Sequence, residues 1–308
     1  MSLTPSQMCE RRLSMQLANP VAAMAVLLGT FAFFLILTPI LSGLLSRLFG
    51  NPLAALRISM VLQDLLVFIL PALVTALVCT RLPARMLAVE KGPGWMAVLL
   101  AIVTLLCSVP AMNAVVAWNE SWHFPSAFGE LEQTLRQMED AARDVTDMLM
   151  SGASVASLCV SVLIVGVMAG FGEELFFRGA MQRILMMGRA MNPHVAIWIT
   201  AVVFSLLHFQ IFGFVPRMLL GAFFGYLLWW SGSLWLPIAI HTFNNSVVVV
   251  TEWMKTNRPG SLAAVDTVGA SPVGSVSDLI LVLISVVLTG IAIAAVRRHC
   301  LRRWRPQC

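Results

Sequence analysis

An all-α fold, a polytopic membrane helix bundle of about eight transmembrane helices, is what this sequence predicts. Three observations lead there. Apolar residues make up 59% of the 308 positions and charged residues only 11%, against about 45–50% and about 25% in soluble domains. The apolar residues gather into eight runs near or above the roughly 20 residues that a helix needs to cross hydrocarbon. Backbone polar groups in lipid have no water to bond, so such runs are expected to be helical.

Taken in chain order, the first 20 residues carry Glu10, Arg11 and Arg12 and lack an apolar h-region. The first run, 21–45, is therefore expected to be a retained helix and not a cleaved signal. Runs at 58–80, 95–118, 155–177, 195–212, 214–230, 233–251 and 278–296 follow. Only Gln210 to Pro216 separates the fifth from the sixth, so either can be half-length or tilted. Pro83, Gly92, Pro93 and Gly94 mark a turn over 83–94. Residues 119–150 form a hydrophilic insertion in which Leu131, Leu135, Met138, Ala142, Val145 and Leu149 recur at three- and four-residue spacing. That spacing predicts an amphipathic helix lying on the outer face or capping the bundle. From 155 to about 188 there is no proline, which predicts one long helix or a helix bent near Gly170 and Gly172. Gly260, Gly269, Pro272 and Gly274 predict a flexible external loop over 252–277. The expected organisation is residues 1–150 as N-terminal helices with the amphipathic insertion and 151–252 as the functional core. Residues 253–308 complete it as loop, last helix and basic tail.

The net charge is +5. With eight spans and a cytoplasmic N-terminus, the inner segments hold 13 of the 20 basic residues, which predicts both termini in the cytoplasm. The basic tail from Arg297 to Arg305 follows an apolar helix directly, so its expected partner is anionic lipid and not nucleic acid. The six cysteines form no CxxC pair. They are expected to be free thiols and no metal cluster.

Ionisable groups inside spans are costly, so each is a candidate for function. Three groups stand out. In Phe171-Gly-Glu-Glu-Leu-Phe-Phe-Arg178, Glu174 and Arg178 are four residues apart and can pair along one helix face. Glu173 then points elsewhere, without a local cation. A carboxylate in an apolar site is suited to accept and return a proton near neutrality; the alternative is a solvated helix end. The second group is Phe204-Ser-Leu-Leu-His208, where the histidine is either structural or functional. The third is His241-Thr-Phe-Asn-Asn245, with His241 and Asn245 on one face. They either join helices or aim donors into a cavity. Glu plus His supplies a base for water, and His plus Asn supplies donors for an oxyanion. Gln63 and Asp64, in the second run, read as satisfied structural polars outside this set.

The EExxxR, FxxxH and HxxxN motifs, in this order over roughly 155–250, resemble the CAAX protease and bacteriocin-processing family of intramembrane endopeptidases, also called the Abi family. The runs Arg217-Met-Leu-Leu-Gly-Ala-Phe-Phe-Gly-Tyr226 and Gly232-Ser-Leu-Trp-Leu-Pro237 are similar to its bacterial members. The resemblance implies Glu173 as the general base, Glu174 and Arg178 as a supporting ion pair, and His208 as the group that orients water. It implies His241 and Asn245 as the oxyanion site, with Phe204 beside His208. It also implies a membrane-associated protein or peptide substrate and a bacterial plasma membrane. The family is often labelled metalloprotease. Glu173, His208 and His241 are possible zinc ligands, but the HExxH spacing is absent, and the resemblance to the glutamate-type CAAX protease implies a metal-free site. A proton-coupled transporter and a non-catalytic bacteriocin-immunity-type binding protein are the competing functions. One tension is built in: counted at about 1.5 Å per residue, Glu173, His208 and His241 do not share a depth in a simple up-and-down bundle.

Overall fold

The computed structural model describes residues 19–187, 191–258 and 276–303. Arg11, Arg12, Cys9, Cys308, Arg189, Arg305 and the expected loop glycines Gly260, Gly269 and Gly274 lie outside that set. Every regular element among the described residues is helical.

Helix α1, Pro20–Ser46, starts on Asn19, whose side chain accepts from the Val21 and Ala22 N–H groups; a proline at the first position needs no donor there. Helix α2, Pro52–Cys79, is capped in the same way by Asn51. It widens into a π stretch at Asp64–Ile69, just before Pro71 removes a backbone donor. A single helical turn, Pro83–Met86, stands in the expected turn region. Helix α3, Trp95–Glu120, contains Pro110. The Ser285 hydroxyl of α9 (Val276–Arg303) donates to Cys107 O at 2.6 Å and accepts from Ala111 N at 3.2 Å, close to that break. A neighbouring serine thus bonds the backbone groups that a proline-broken helix would leave bare in lipid.

The expected amphipathic helix is α4, Gly129–Met150, beginning later than the insertion does. Its Glu132 accepts from the Phe124 N–H at 2.8 Å and pairs with Arg136. That N–H, with the Arg136 guanidinium, holds the Glu132 carboxyl at about 2, below the usual 4.5. The apolar end of α4, Leu149 and Met150, packs on Val249 and Trp253.

Helix α5, Val155–Met187, is 33 residues long, about 50 Å. It exceeds the roughly 30 Å of hydrocarbon, so it tilts or projects beyond it. In place of one sharp bend, π stretches at Val162–Met168 and Leu175–Gln182 flank the glutamates. Helix α6, Pro193–Leu206, has only 14 residues and pairs with α7, Phe214–Ser231. The turn between them is braced by the buried Asn119 of α3, which donates to Ile211 O at 3.1 Å and accepts from Val215 N at 2.7 Å. Helix α7 ends on Gly232, whose φ of 61° is left-handed and whose N–H reaches Leu228 O. Helix α8, Trp235–Asn257, follows at once. Its start is docked on the α2–α3 turn by Leu234 N to Ala88 O and Trp235 Nε1 to Val89 O, both 2.9 Å.

Six of these helices are long and apolar enough to cross a membrane; the chain is a multi-pass integral membrane protein. The expected fifth span, 195–212, is shorter because α6 stops at Leu206. The expected seventh, 233–251, is a full-length helix, but His241, Asn244 and Asn245 make it less apolar than the others. Cys79, Cys107, Cys159 and Cys300 are free.

Close approach of α5 and α8 rests on Gly166 and Gly170, a small-xxx-small pair. A methyl group at Gly170 would lie 3.0 Å from Thr242 N and 3.2 Å from Thr242 Cα. Backbone atoms cannot swing aside, so Gly170→Val is expected to force α8 off α5 at a cost of about 1–3 kcal/mol. A lower melting temperature of the purified protein checks this; an unchanged one would contradict the close approach.

Candidate active site

Glu174 and Arg178 are the deepest charges in the fold, both with fully buried side chains. Arg178 NH1 donates to Glu174 Oε1 at 2.6 Å, and NH2 donates to Gly221 O of α7 at 2.9 Å. The guanidinium lies 4.5 Å from the Phe204 ring centre, 5.5 Å from Phe224 and 5.9 Å from Phe177. One turn further along α5, Gln182 donates to Gly225 O at 3.1 Å. Both α7 glycines are needed for this. A methyl group at Gly221 would meet Phe204 at 3.0 Å and Arg178 at 3.2 Å, and one at Gly225 would meet Gln182 at 2.7 Å. The stripe Glu174, Arg178, Gln182 therefore faces a glycine-lined groove of α7.

His241 of α8 closes on this stripe. Its Nδ1 is 2.8 Å from Glu174 Oε1. With Glu174 already paired to Arg178, the carboxylate is an acceptor and Nδ1 carries the proton. Nε2 faces Glu173 Oε2 at 3.8 Å, within ion-pair range of a protonated imidazole but too long for a direct hydrogen bond. The ring stacks on Phe224 (centres 4.8 Å apart, 24° between planes) and meets Phe204 edge-on at 5.9 Å.

Glu173 is the more open carboxylate, its side chain 13% exposed. It does have an ionisable neighbour, His241, which sequence spacing alone did not supply. Its charge bears on Asp64 of α2, Arg178, His208 and Arg217 of α7 alike. Four elements thus converge on it.

His208 sits two residues beyond α6, in the turn. Its Nδ1 is 2.8 Å from Phe204 O; a carbonyl only accepts, so Nδ1 is the protonated nitrogen and Nε2 is left free. Phe204 meets His208 edge-on at 5.0 Å as well as His241. The next residue, Phe209, has φ of 55°, a left-handed conformation that a bulky side chain rarely adopts. The depth conflict is resolved here. The long α5, the short α6 and the spacer ring of Phe204 bring residues with different positions in their helices to one place.

Asn245 stands apart. Its Nδ2 donates to Val165 O in the first π stretch of α5 at 3.3 Å, and Asn244 Nδ2 donates to its Oδ1 at 3.3 Å. The structure thus joins Glu173, Glu174, Arg178 and His241 directly and His208 through Phe204, while Asn245 is bonded one turn away. Sequence spacing had left out Asp64, which is buried on α2; its backbone carbonyl lies 3.5 Å from where a methyl group at Gly172 would sit. Sequence reading also left out Gln182, Phe224 and the glycines of α7. Gly221-Ala-Phe-Phe-Gly225 is a GxxxG in an apolar run, the signal that points to a close helix contact.

For the zinc alternative, Glu173, His208 and His241, no group of three His, Cys, Asp or Glu side chains among the described residues is placed together to hold a metal.

Residues 155–247, which carry all of these groups except Asp64, match the family model described as type II CAAX prenyl endopeptidase Rce1-like. No curated protein and no solved structure matches the chain. The match covers the helices that build the site and none of α1 to α4.

Proposed function

We propose that this chain, whose residues 155–247 match the type II CAAX prenyl endopeptidase Rce1-like family model, hydrolyses a peptide bond of a membrane-associated protein or peptide with water activated by Glu173. One observation carries the reading: a partly exposed carboxylate faces the free nitrogen of a histidine whose other nitrogen is bonded to a buried Glu–Arg pair.

In this reading Glu173 takes a proton from water as the water oxygen bonds to the scissile carbonyl carbon. The carbonyl π electrons move to oxygen. His208, with its proton fixed on Phe204 O, offers Nε2 to the second water hydrogen and so orients the attack. His241, with Nδ1–H fixed on Glu174, donates from Nε2 in its imidazolium form to the developing oxyanion. Asn245 joins it by turning Nδ2 from the Val165 carbonyl. When the C–N bond breaks, Glu173 returns the proton to the leaving amine, so the enzyme ends unchanged. Arg178 and Glu174 keep His241 in one orientation and touch no reacting atom.

No step requires a metal. Purified protein is expected to hold well under one equivalent of zinc and to keep its cleavage rate in EDTA or phenanthroline. Loss of activity with a chelator, restored by zinc, would overturn the metal-free reading. The positive-inside count over eight spans supports both termini in the cytoplasm, and the similarity to bacterial family members supports a bacterial plasma membrane. The function as a whole is tested by reconstituting the protein in vesicles with a prenylated peptide that ends in a CAAX sequence. Mass spectrometry then reads the fragments, with Glu173→Gln as the paired variant.

A further inference from the structure

We propose that Arg217 and Gln210 form a subsite that receives a carboxylate of the peptide substrate beside Glu173. The proposal rests on the peptidase reading above and adds a recognition element to it.

Arg217 lies in the first turn of α7, after the braced turn that carries His208. Its NH2 donates to Gln210 Oε1 at 2.6 Å. Its NH1 is buried and donates to nothing. The guanidinium lies over Gly213, where a methyl group would approach NH2 to 3.2 Å. Two acids act on it at longer range, Glu173 and Glu139, and no ion pair forms with either within 4 Å among the described residues. A half-buried cation that holds one neutral acceptor and one buried, idle donor is a costly arrangement unless a partner arrives. Compare Arg178, which is deeper and has an acid at 2.6 Å and a carbonyl at 2.9 Å.

The chemistry of the missing partner follows from the donor. A planar guanidinium matches a carboxylate with two parallel hydrogen bonds. Gln210 gives its oxygen to Arg217, and so keeps its amide N–H groups for the same ligand. Arg217 also bears electrostatically on His208. A carboxylate held there lies within the same electrostatic field as the reacting groups. A peptide offers such a group in two places, at its C-terminus or on an Asp or Glu side chain.

The test compares three prenylated peptides that differ only in charge: a free C-terminal acid, the C-terminal amide, and the amide with an Asp in place of the last aliphatic residue. Each is cleaved by the wild-type protein, Arg217→Gln and Arg217→Lys in vesicles. The measured quantity is the ratio of kcat/KM for an acid-bearing peptide to that for the neutral amide. Arg217→Gln is expected to lower this ratio roughly 30-fold, the order of losing hydrogen bonds to a charged group, mostly through KM. Arg217→Lys, which keeps the charge and loses the fork, is expected to fall between. A drop confined to the free acid assigns the subsite to the chain end; a drop confined to the Asp peptide assigns it to a side chain. An unchanged ratio, with all three peptides slowed equally, overturns the subsite and leaves Arg217 as a brace of the turn. A misfolded sample loses all three substrates, and in that case Arg217→Lys and the wild-type ratio carry the test. If the wild-type protein cleaves nothing, the peptidase reading fails. Binding of the labelled acid and amide to Glu173→Gln then still decides the subsite: equal affinities would overturn it.

Discussion

Glu173→Gln is expected to lower kcat roughly 10³- to 10⁴-fold, near the upper range for loss of a general base, while the protein stays folded. The amide keeps the shape of the carboxylate but cannot accept the proton of water. The folding half of the prediction follows from the surroundings of Glu173. Its side chain is partly exposed and its closest ionisable partner, His241, is 3.8 Å away and already bonded to Glu174, so neutralising it breaks no direct ion pair. The loss is expected in kcat with little change in KM, because the carboxylate acts on water and not on the bound peptide. Glu174→Gln is the informative contrast. It also lowers activity, but by releasing His241, and it leaves Arg178 without its anion. A Glu173→Gln protein that keeps more than a tenth of its activity would remove Glu173 from the role of base.

Arg178→Ala is expected to have the largest effect on stability. It leaves the fully buried Glu174 carboxylate with His241 alone as its partner and frees the Gly221 carbonyl. Breaking a buried pair by removing one partner costs about 3–5 kcal/mol, a large share of the 5–15 kcal/mol that holds a typical protein folded. The measurement is thermal unfolding in detergent, with a fall on the order of 10 °C expected. Arg178→Lys is expected to lose less, since an ammonium can keep Glu174 but does not also reach Gly221 while packing against the three rings. An Arg178→Ala protein with wild-type stability would mean that Glu174 is neutral, and that the Glu174–His241 contact is organised differently.

These two residues also mark what the sequence could and could not yield. The Glu174–Arg178 pair was legible because a four-residue spacing fixes a shared helix face whatever the tertiary structure. The membrane bundle was legible from composition, since apolar runs in lipid have one backbone solution. The partner of Glu173 was not legible: His241 is 68 positions further on, and only packing decides that its Nε2 turns to Glu173 while Nδ1 turns to Glu174. The two π stretches of α5 have no sequence signal of the kind that proline gives a kink, yet they flank the glutamates. The boundary at Leu206 was missed because Leu207 and Phe209 are as apolar as the helix before them. Asp64 was set aside as a structural polar on its own helix, and its proximity to Glu173 comes from contact of α2 with Gly172. Arg217 sat in plain view inside a stretch noted for its similarity to bacterial family members, but an idle donor is visible only when all its neighbours are placed.

The central claim is that Glu173 directs water to the peptide bond without a covalent intermediate. Single-turnover cleavage in H₂¹⁸O, with enzyme in excess over a prenylated CAAX-type peptide, tests it most directly. Mass spectrometry of the new carboxyl terminus and of the Glu173-containing fragment gives the answer. The account predicts one ¹⁸O in the product carboxylate and none in Glu173. A product with unlabelled oxygen and label in Glu173 would make the carboxylate a nucleophile, and would contradict it.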